Sequence, residues 1–179
     1  MAFVWMGKNF YKKLFQEECR VGEKKEKRIR QLESYAELVR YIASFDHTQQ
    51  LISIVPYSSY PGQETYIVFF AKRIPGNFSH TIYGYQMGDF RNWVYRAYVD
   101  ICLSGKKAEL VDHFALPAHN GIGTLGIGAI RKLLLEHDCT ILYGKMAAEF
   151  IADRKELVAF YQKNGFEISG EYIRLSISI

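Results

Sequence analysis

Ten residues in the second half of the chain carry its densest chemical signal: His119-Asn120-Gly121-Ile122-Gly123-Thr124-Leu125-Gly126-Ile127-Gly128. They follow an apolar run ending at Leu116-Pro117 and open a second one, Ala129-Ile130-Arg131-Lys132-Leu133-Leu134-Leu135. The pattern reads as strand, glycine turn, helix. Gly121 and Gly123 tolerate positive φ and carry no Cβ, so consecutive backbone N–H groups can line a concavity at the mouth of the helix. The unpaired donors of a helix start and the positive end of its dipole make such a concavity an anion site, and Thr124 adds a hydroxyl. Pyrophosphate is the natural guest.

Two common phosphate sites do not fit. Gly121-x-Gly123-x-x-Gly126 spells the dinucleotide fingerprint, but the next apolar run, Ile141-Leu142-Tyr143-Gly144, offers no acid to hold a ribose. The chain after the turn is also too short for the further strand-helix-strand units of a doubly wound sheet. A Walker-type loop fails because no Lys follows the glycines. His47, His80, His119 and His137 are scattered, and Cys19, Cys102 and Cys139 lack ligand spacing, so no metal site is expected.

The elements that must position the turn follow from composition and periodicity. A chain of 179 residues, 49% hydrophobic, suits one domain with a substantial core. Its net charge of +4 is concentrated before about residue 50, in Lys24-Lys25-Glu26-Lys27-Arg28-Ile29-Arg30. Glu17, Glu18, Glu23, Glu33 and Glu37 are interleaved with these cations, which favours a solvated helix face over a nucleic-acid or membrane patch. The first residues lack the order of a signal peptide and no run is long enough to cross a bilayer, so a reducing, cytoplasmic setting is expected.

Phe10, Leu14 and Phe15, and then Ile29, Leu32, Tyr35, Leu38, Val39 and Ile42, recur at helical spacing. This predicts two helices between Phe10 and Phe45, separated at Val21-Gly22-Glu23. Strands are predicted at 51–55, 65–71, 80–87, 93–103 and 108–116, with turns at 58–62, 74–77, 88–92 and 104–107. A helix follows over 124–137, its Arg131, Lys132 and Glu136 facing outward. Next come a short strand at 139–143, a helix from an Asp153 cap with Glu156 in a capping-box arrangement to Asn164-Gly165, and two strands to the end of the chain. The fold class is therefore α+β, a mostly antiparallel mixed sheet flanked by helices.

The second signal is Asp153-Arg154-Lys155-Glu156-Leu157-Val158-Ala159-Phe160-Tyr161-Gln162-Lys163-Asn164-Gly165-Phe166. A glycine turn opening a helix, a short strand, then a helix ending in Phe-Tyr-x-Lys-x-Gly-Phe before a strand pair resembles the GNAT superfamily of N-acetyltransferases over roughly Ala108 to Ile179. Aligned by the following helix, Ala118 stands where that family's loop usually carries Arg or Gln. Aligned from Pro117, Asn120 stands there and Leu125 takes a glycine position; the first register keeps Ile127, Ile130 and Leu134 in apolar positions. Arg154 stands where the family often has Asn, about two turns before the Tyr.

The resemblance implies a single GNAT-like domain over 1–179, with an N-terminal helical part at 1–47, substrate-side strands at 48–107 and an acetyl-coenzyme A core at 108–179. It implies acetyl-coenzyme A as cosubstrate, with contacts at Phe114, Ala115 and Leu116, at His119, Asn120, Gly121, Ile122, Gly123 and Thr124, and at Arg154, Phe160 and Lys163. Pyrophosphate would sit on the loop N–H groups, and pantetheine would run between the strands ending at Leu116 and starting near Ile141. A backbone N–H near Ala115 would polarise the thioester carbonyl. Tyr161 would protonate the departing thiolate, and Asp112 or His113 would take the proton of the attacking amine.

Strict alternation places Asp112 on the opposite face from Glu109 and His113. The acceptor would be a primary amine of a small molecule or peptide, walled by the N-terminal helices and by strands carrying Tyr57, Tyr60, Tyr66, Tyr83, Tyr85, Trp93, Tyr95 and Tyr98. No nucleic acid or membrane partner is expected, and a homodimer is left open. The alternatives are a non-catalytic acyl-coenzyme A binding or regulatory protein on the same fold, and a partner-binding protein using the basic N-terminal helices.

Overall fold

The computed structural model describes residues 2–58, 64–102, 106–118, 120–146 and 151–178, with backbone alone at 2–15, 64 and 151–153. Its contacts divide the chain into two units, Met1–Ala43 and Ser44–Ile179. The first is one helix, α1, spanning Ala2–Ala43. The predicted break at Val21-Gly22-Glu23 does not occur: Gly22 lies inside α1 with open space around its Cα. A lone glycine costs a helix roughly 1 kcal/mol, which lowers propensity without interrupting the hydrogen-bond ladder. Residues 16–33 are exposed, and Arg30 pairs with Glu26 one turn earlier at 3.2 Å.

The second unit is an eight-stranded sheet. Its strands are β1 (Gln49–Ser58), β2 (Glu64–Arg73), β3 (Ser79–Gln86), β4 (Asp89–Cys102), β5 (Lys107–Ala115), β6 (Ile141–Lys145), β7 (Glu167–Ser169) and β8 (Tyr172–Ser176). Helix α2 (Ile122–Glu136) joins β5 to β6, and α3 (Ile151–Lys163) joins β6 to β7. The spatial order is β1-β2-β3-β4-β5-β6-β8-β7. Every neighbouring pair is antiparallel except β5 and β6, which are parallel because a helix carries the chain back between them. The turn predicted at 88–92 tightens to Met87-Gly88, with Gly88 at φ +90° and β4 starting at Asp89. Helix α3 begins at Ile151, so Asp153 falls inside it rather than at its cap. Of the turn at 58–62 only Ser58 is described, and of the one at 104–107 only Lys106 and Lys107.

One face of the sheet is covered by α2, which lies against β1, β2, β4 and β5. Ile67, Phe69, Ala71, Ile82, Tyr95, Ala97, Val99, Ala108, Leu110 and Leu142 form that face. They meet Ile122, Ile127, Ile130, Leu133 and Leu134 of the helix. Gly126 is the tightest approach, since a Cβ there would lie 2.2 Å from the Tyr95 ring. Its role is close helix-on-sheet packing. Gly128, two residues further along the helix, has nothing within 4 Å. Lys132, expected to face outward, bonds the carbonyl of Ile52 on β1 through its ammonium.

Register then assigns every side chain of β4 and β5 to a face, because directly opposed residues share one. Tyr95, Ala97, Val99 and Ile101 oppose Ala115, His113, Leu110 and Ala108 on the covered face. Arg96, Tyr98 and Asp100 oppose Phe114, Asp112 and Glu109 on the other. The register shifts between Tyr98 and Val99, leaving Val111 as an extra residue in β5. That bulge overturns the face assignment made from strict alternation: Asp112 shares a face with Glu109, and His113 stands opposite both. One unpaired residue reverses the phase of everything after it.

Candidate active site

The parallel pair is short. β5 pairs with β6 only over Lys107–Leu110 against Ile141–Gly144, while β5 runs on to Ala115. At the last paired position a Cβ on Gly144 would lie 2.6 Å from the Leu110 carbonyl oxygen, so only glycine lets the strands close there. Beyond it β5 bulges at Val111, and β6 leaves toward β8, with the Met146 N–H bonding Glu171 O at 2.8 Å. The sheet therefore forks. The Leu116 N–H points back to β4, bonding Val94 O at 2.8 Å. Alternation along an extended strand turns the N–H groups of Ala115 and His113 the other way, toward the fork.

The chain leaves the fork through the glycine turn. Gly121 caps α2 at φ +88° with no side-chain cap, and Leu125 N–H to Gly121 O at 3.2 Å is the first helical bond. Asn120 Oδ1 accepts from the Ile122 N–H at 3.3 Å. The N–H groups of Gly123 and Thr124 are thus left without an intrahelical acceptor, and no acid stands in the first turn. A phosphate oxygen suits these donors and the sign of the field. Of the loop residues expected to contact a cofactor, His119 lies outside the described residues.

From Thr124 a groove of about 450 Å³ runs between α2 and the end of α3, lined by Thr124, Ile127, Gly128, Arg131, Lys163, Asn164 and Gly165. Arg131, expected to face water, ties the two walls by donating to Asn164 O at 2.8 Å. The FYQKNGF ending thus supplies one side of a groove whose other side begins at the glycine turn. Lys163 lies in it. Arg154 does not, and donates instead to Gly170 O in the β7–β8 turn at 3.2 Å.

Tyr161 and His113, drawn from sequence segments 48 residues apart, meet on the covered face with Tyr161 Oη and His113 Nδ1 3.4 Å apart. Phe160 stacks on the imidazole with ring centroids 5.3 Å apart and also walls Gly123, where a Cβ would meet its ring at 3.0 Å. Tyr95 closes the third side at 6.1 Å. Burial in this aromatic setting pushes the Tyr161 phenol up to about 12 and holds His113 below its usual value, so both are neutral near pH 7. Asp112 is exposed on the opposite face, and Phe114 and Leu116 are exposed as well.

The aromatic residues expected to wall the acceptor are divided between the faces. Tyr57 and Tyr95 belong to the covered core; Tyr66, Tyr83, Tyr85, Trp93 and Tyr98 belong to the opposite face by register, open at β5 where Asp112 and Phe114 are exposed and closed at β2 where Val68 and Phe70 are buried, and Tyr60 lies outside the described residues. Sequence reasoning missed Arg96, whose guanidinium sits among Trp93, Tyr98 and Phe114. The signal was Trp93-x-x-Arg96-x-Tyr98 on one strand, but it needed the register that brings Phe114 across. Among the described residues, no group of three or more His, Cys, Asp or Glu is placed to hold a metal, and no helix is long and apolar enough to cross a membrane.

A mixed sheet with one forked parallel pair, a glycine turn opening the helix after it, and a further helix ahead of a final strand pair settles the architecture. Its layout is similar to that of GNAT acetyltransferases. No family model matches the chain, and no curated protein matches it significantly in sequence. Among solved structures, a GNAT-family acetyltransferase of Desulfovibrio desulfuricans described as putative is similar, at 13% identity over 56% of this chain and 69% of that one, TM-score 0.46. Nourseothricin acetyltransferase is similar at 13% identity over 73% of this chain and 88% of its own, TM-score 0.49. The PaiA N-acetyltransferase of Thermoplasma acidophilum, solved with coenzyme A, is 16% identical over 54% of this chain and 59% of its own, TM-score 0.43. Likenesses this distant carry no residue role to this chain. In the second unit β1 to β4 follow one another with no helix between them among the described residues. The N-terminal helices expected on the substrate side correspond to the single helix α1 of the first unit.

Proposed function

We propose that the protein is an acetyl-coenzyme A-dependent N-acetyltransferase that acetylates a primary amine by direct attack. The observation that carries this reading is the fork, which has the unpartnered N–H groups of the glycine turn at its mouth and the Tyr161–His113 pair beside it. Acetyl-coenzyme A would supply the acetyl group, held by Gly123, Thr124 and the groove that contains Lys163. The Ala115 N–H, turned into the fork, would donate to the thioester oxygen as charge develops on it.

Tyr161 and Asp112 would then divide the proton work between the two faces. Tyr161 stays protonated at neutral pH and offers its hydroxyl hydrogen to the departing sulfur from the covered side, with His113 as its partner. A phenol at about 12 is a weaker acid than an ordinary thiol of about 8.5, so its contribution is a hydrogen bond that strengthens as negative charge reaches sulfur. Asp112, exposed on the other face, would take the proton of an ammonium approaching from solvent.

The test follows thiol release from acetyl-coenzyme A with a panel of amines, alongside the melting temperature with coenzyme A. Thr124→Glu puts a carboxylate at the third position of α2, where the helix dipole welcomes it and a pyrophosphate does not. The expected result is amine-dependent turnover, a coenzyme A-induced rise in Tm, and loss of that rise in Thr124→Glu with its own Tm unchanged or higher. A rise without turnover on any amine would favour the non-catalytic acyl-coenzyme A binder. An equal rise in both proteins would place the ligand elsewhere.

A further inference from the structure

Arg96 occupies a setting that the transfer chemistry does not use. Its guanidinium carbon lies 4.8 Å from the ring centroid of Trp93, 5.2 Å from that of Phe114 and 5.5 Å from that of Tyr98. Its Nε is shut off from solvent without a hydrogen-bond partner, and among the described residues no carboxylate pairs with it. Phe114 remains 41% exposed, an apolar ring kept at the surface beside a cation. Aromatic faces hold a guanidinium by its flat sides and fix its plane, leaving its edge for in-plane donation; an edge fixed in advance loses little freedom when a carboxylate docks on it. Among the described residues this is a cation built in place without an anion.

Its neighbours give the ligand a second charge. Arg96 opposes Phe114, and the next residue pair along the same face is Tyr98 with Asp112. Two residues of strand put Asp112 about 7 Å along β5 from Phe114. Asp100 and Glu109 follow on that face. A dianion such as a phosphate monoester would gain at Arg96 and lose against this acidic row, whereas a molecule carrying one carboxylate and one ammonium satisfies both ends. Phe114 and Ala115 are adjacent in the chain, so the Arg96 cage lies beside the backbone that faces the fork.

We infer that Arg96 is the anchor for the carboxylate of a zwitterionic, amino-acid-like acceptor whose ammonium is received at Asp112. The inference rests on the acetyltransferase reading for its chemistry, but the anchor itself binds whether or not the transfer occurs. Trp93 and Phe114 would border the ligand's apolar part, and the amine would reach the thioester from the open face.

The experiment compares L-leucine, L-leucinamide and phosphoethanolamine as acceptors for the full chain, and repeats the comparison with Arg96→Gln and Arg96→Lys. The expected kcat/KM for leucine exceeds that for leucinamide by at least about tenfold, the worth of one charge-assisted hydrogen bond. In Arg96→Gln the leucine-to-leucinamide ratio falls to near one, and Arg96→Lys keeps part of it; a ratio within one protein is insensitive to how much of it is folded. A ratio near one in the wild type, a ratio that survives Arg96→Gln, or phosphoethanolamine as the best of the three would overturn the inference. In a Trp5→Phe background, Trp93 fluorescence is titrated with the same compounds with and without coenzyme A. Absence of coenzyme A binding would sink the acetyltransferase reading alone. A leucine-dependent Trp93 signal that Arg96→Gln abolishes would still support the anchor, and the lack of a leucine-dependent signal would remove it.

Discussion

Asp112 and His113 are adjacent in the chain and have almost nothing else in common. His113 is enclosed by Phe160, Tyr161 and Tyr95, its proton affinity lowered chiefly by desolvation, while Asp112 is exposed on a face of charges and aromatic rings. The covered face is a place where small neutral groups meet at fixed distances and water is scarce. The other face, at β5, has Asp112 exposed to solvent near Arg96, which its aromatic neighbours hold. A strand carries both chemistries because successive residues point to opposite sides. The bulge at Val111 decides which residue gets which side. An amine acylation needs both settings, a wet one to receive and deprotonate an ammonium and a dry one to stabilise a leaving thiolate.

The most severe way to break this division is Tyr161→Phe. Only the hydroxyl is removed, packing against Phe160 and Phe166 is retained, and the Oη–Nδ1 hydrogen bond that disappears with it is long, at 3.4 Å. The expected kcat falls by at least about tenfold with the coenzyme A dissociation constant nearly unchanged. Wild-type turnover in the variant would take the covered face out of the chemistry.

A smaller and more discriminating effect comes from varying pH. Asp112→Asn is expected to lower kcat/KM several-fold at low pH, with the deficit shrinking as the amine deprotonates unaided; a uniform deficit would reduce Asp112 to a positioning group. His113 speaks through stability instead. Its folded pKa lies below the unfolded 6.5, so the unfolded chain binds more protons in that window. Its contribution is complete above about pH 6.5 and is lost as pH falls through the folded pKa. His80, also depressed by burial, adds to the same slope. Denaturant midpoints from pH 8 to 5 should therefore decline less steeply in His113→Gln than in the wild type, and an unchanged slope would mean that the imidazole is not desolvated.

The smallest effects sharpen the comparison within α2. Gly126→Ala, which drives a methyl into the Tyr95 ring, is expected to destabilise by about 1–3 kcal/mol. Gly128→Ala, with open space around it, should gain up to about 1 kcal/mol from helix propensity. Equal signs in thermal or denaturant unfolding would contradict the packing assigned to Gly126.

Periodicity made most of the architecture legible. The five strands before the turn, the helix after it and the closing helix-strand-strand all stand within a few residues of where apolar spacing puts them. The glycine turn and the FYQKNGF helix were readable for a local reason, since each is a backbone motif whose requirements lie within a dozen residues. What could not be read was phase. The bulge at Val111 leaves no mark in residue type, and alternation counted through it sends His113 and Asp112 to the wrong sides. The Arg96 cage was hidden likewise, because Phe114 reaches it only through the register of β4 and β5. Gly22 misled in the opposite direction, a break in composition that the helix absorbs.

The sheet also has an outer border. β1 is ten residues long and pairs only with β2 among the described strands, so every second backbone amide along it faces outward, and Leu51 and Ile54 are exposed beside that row. A straight apolar border of this kind recruits strands from other molecules into mixed sheets. Two local features work against recruitment. Pro56 has no amide hydrogen to offer a visiting strand, and the register shift between Leu51 and Ser53 twists the border away from the straight line a partner would follow. Pro56 and the irregularity are thus the two features of this border that oppose strand addition, and both lie away from the fork.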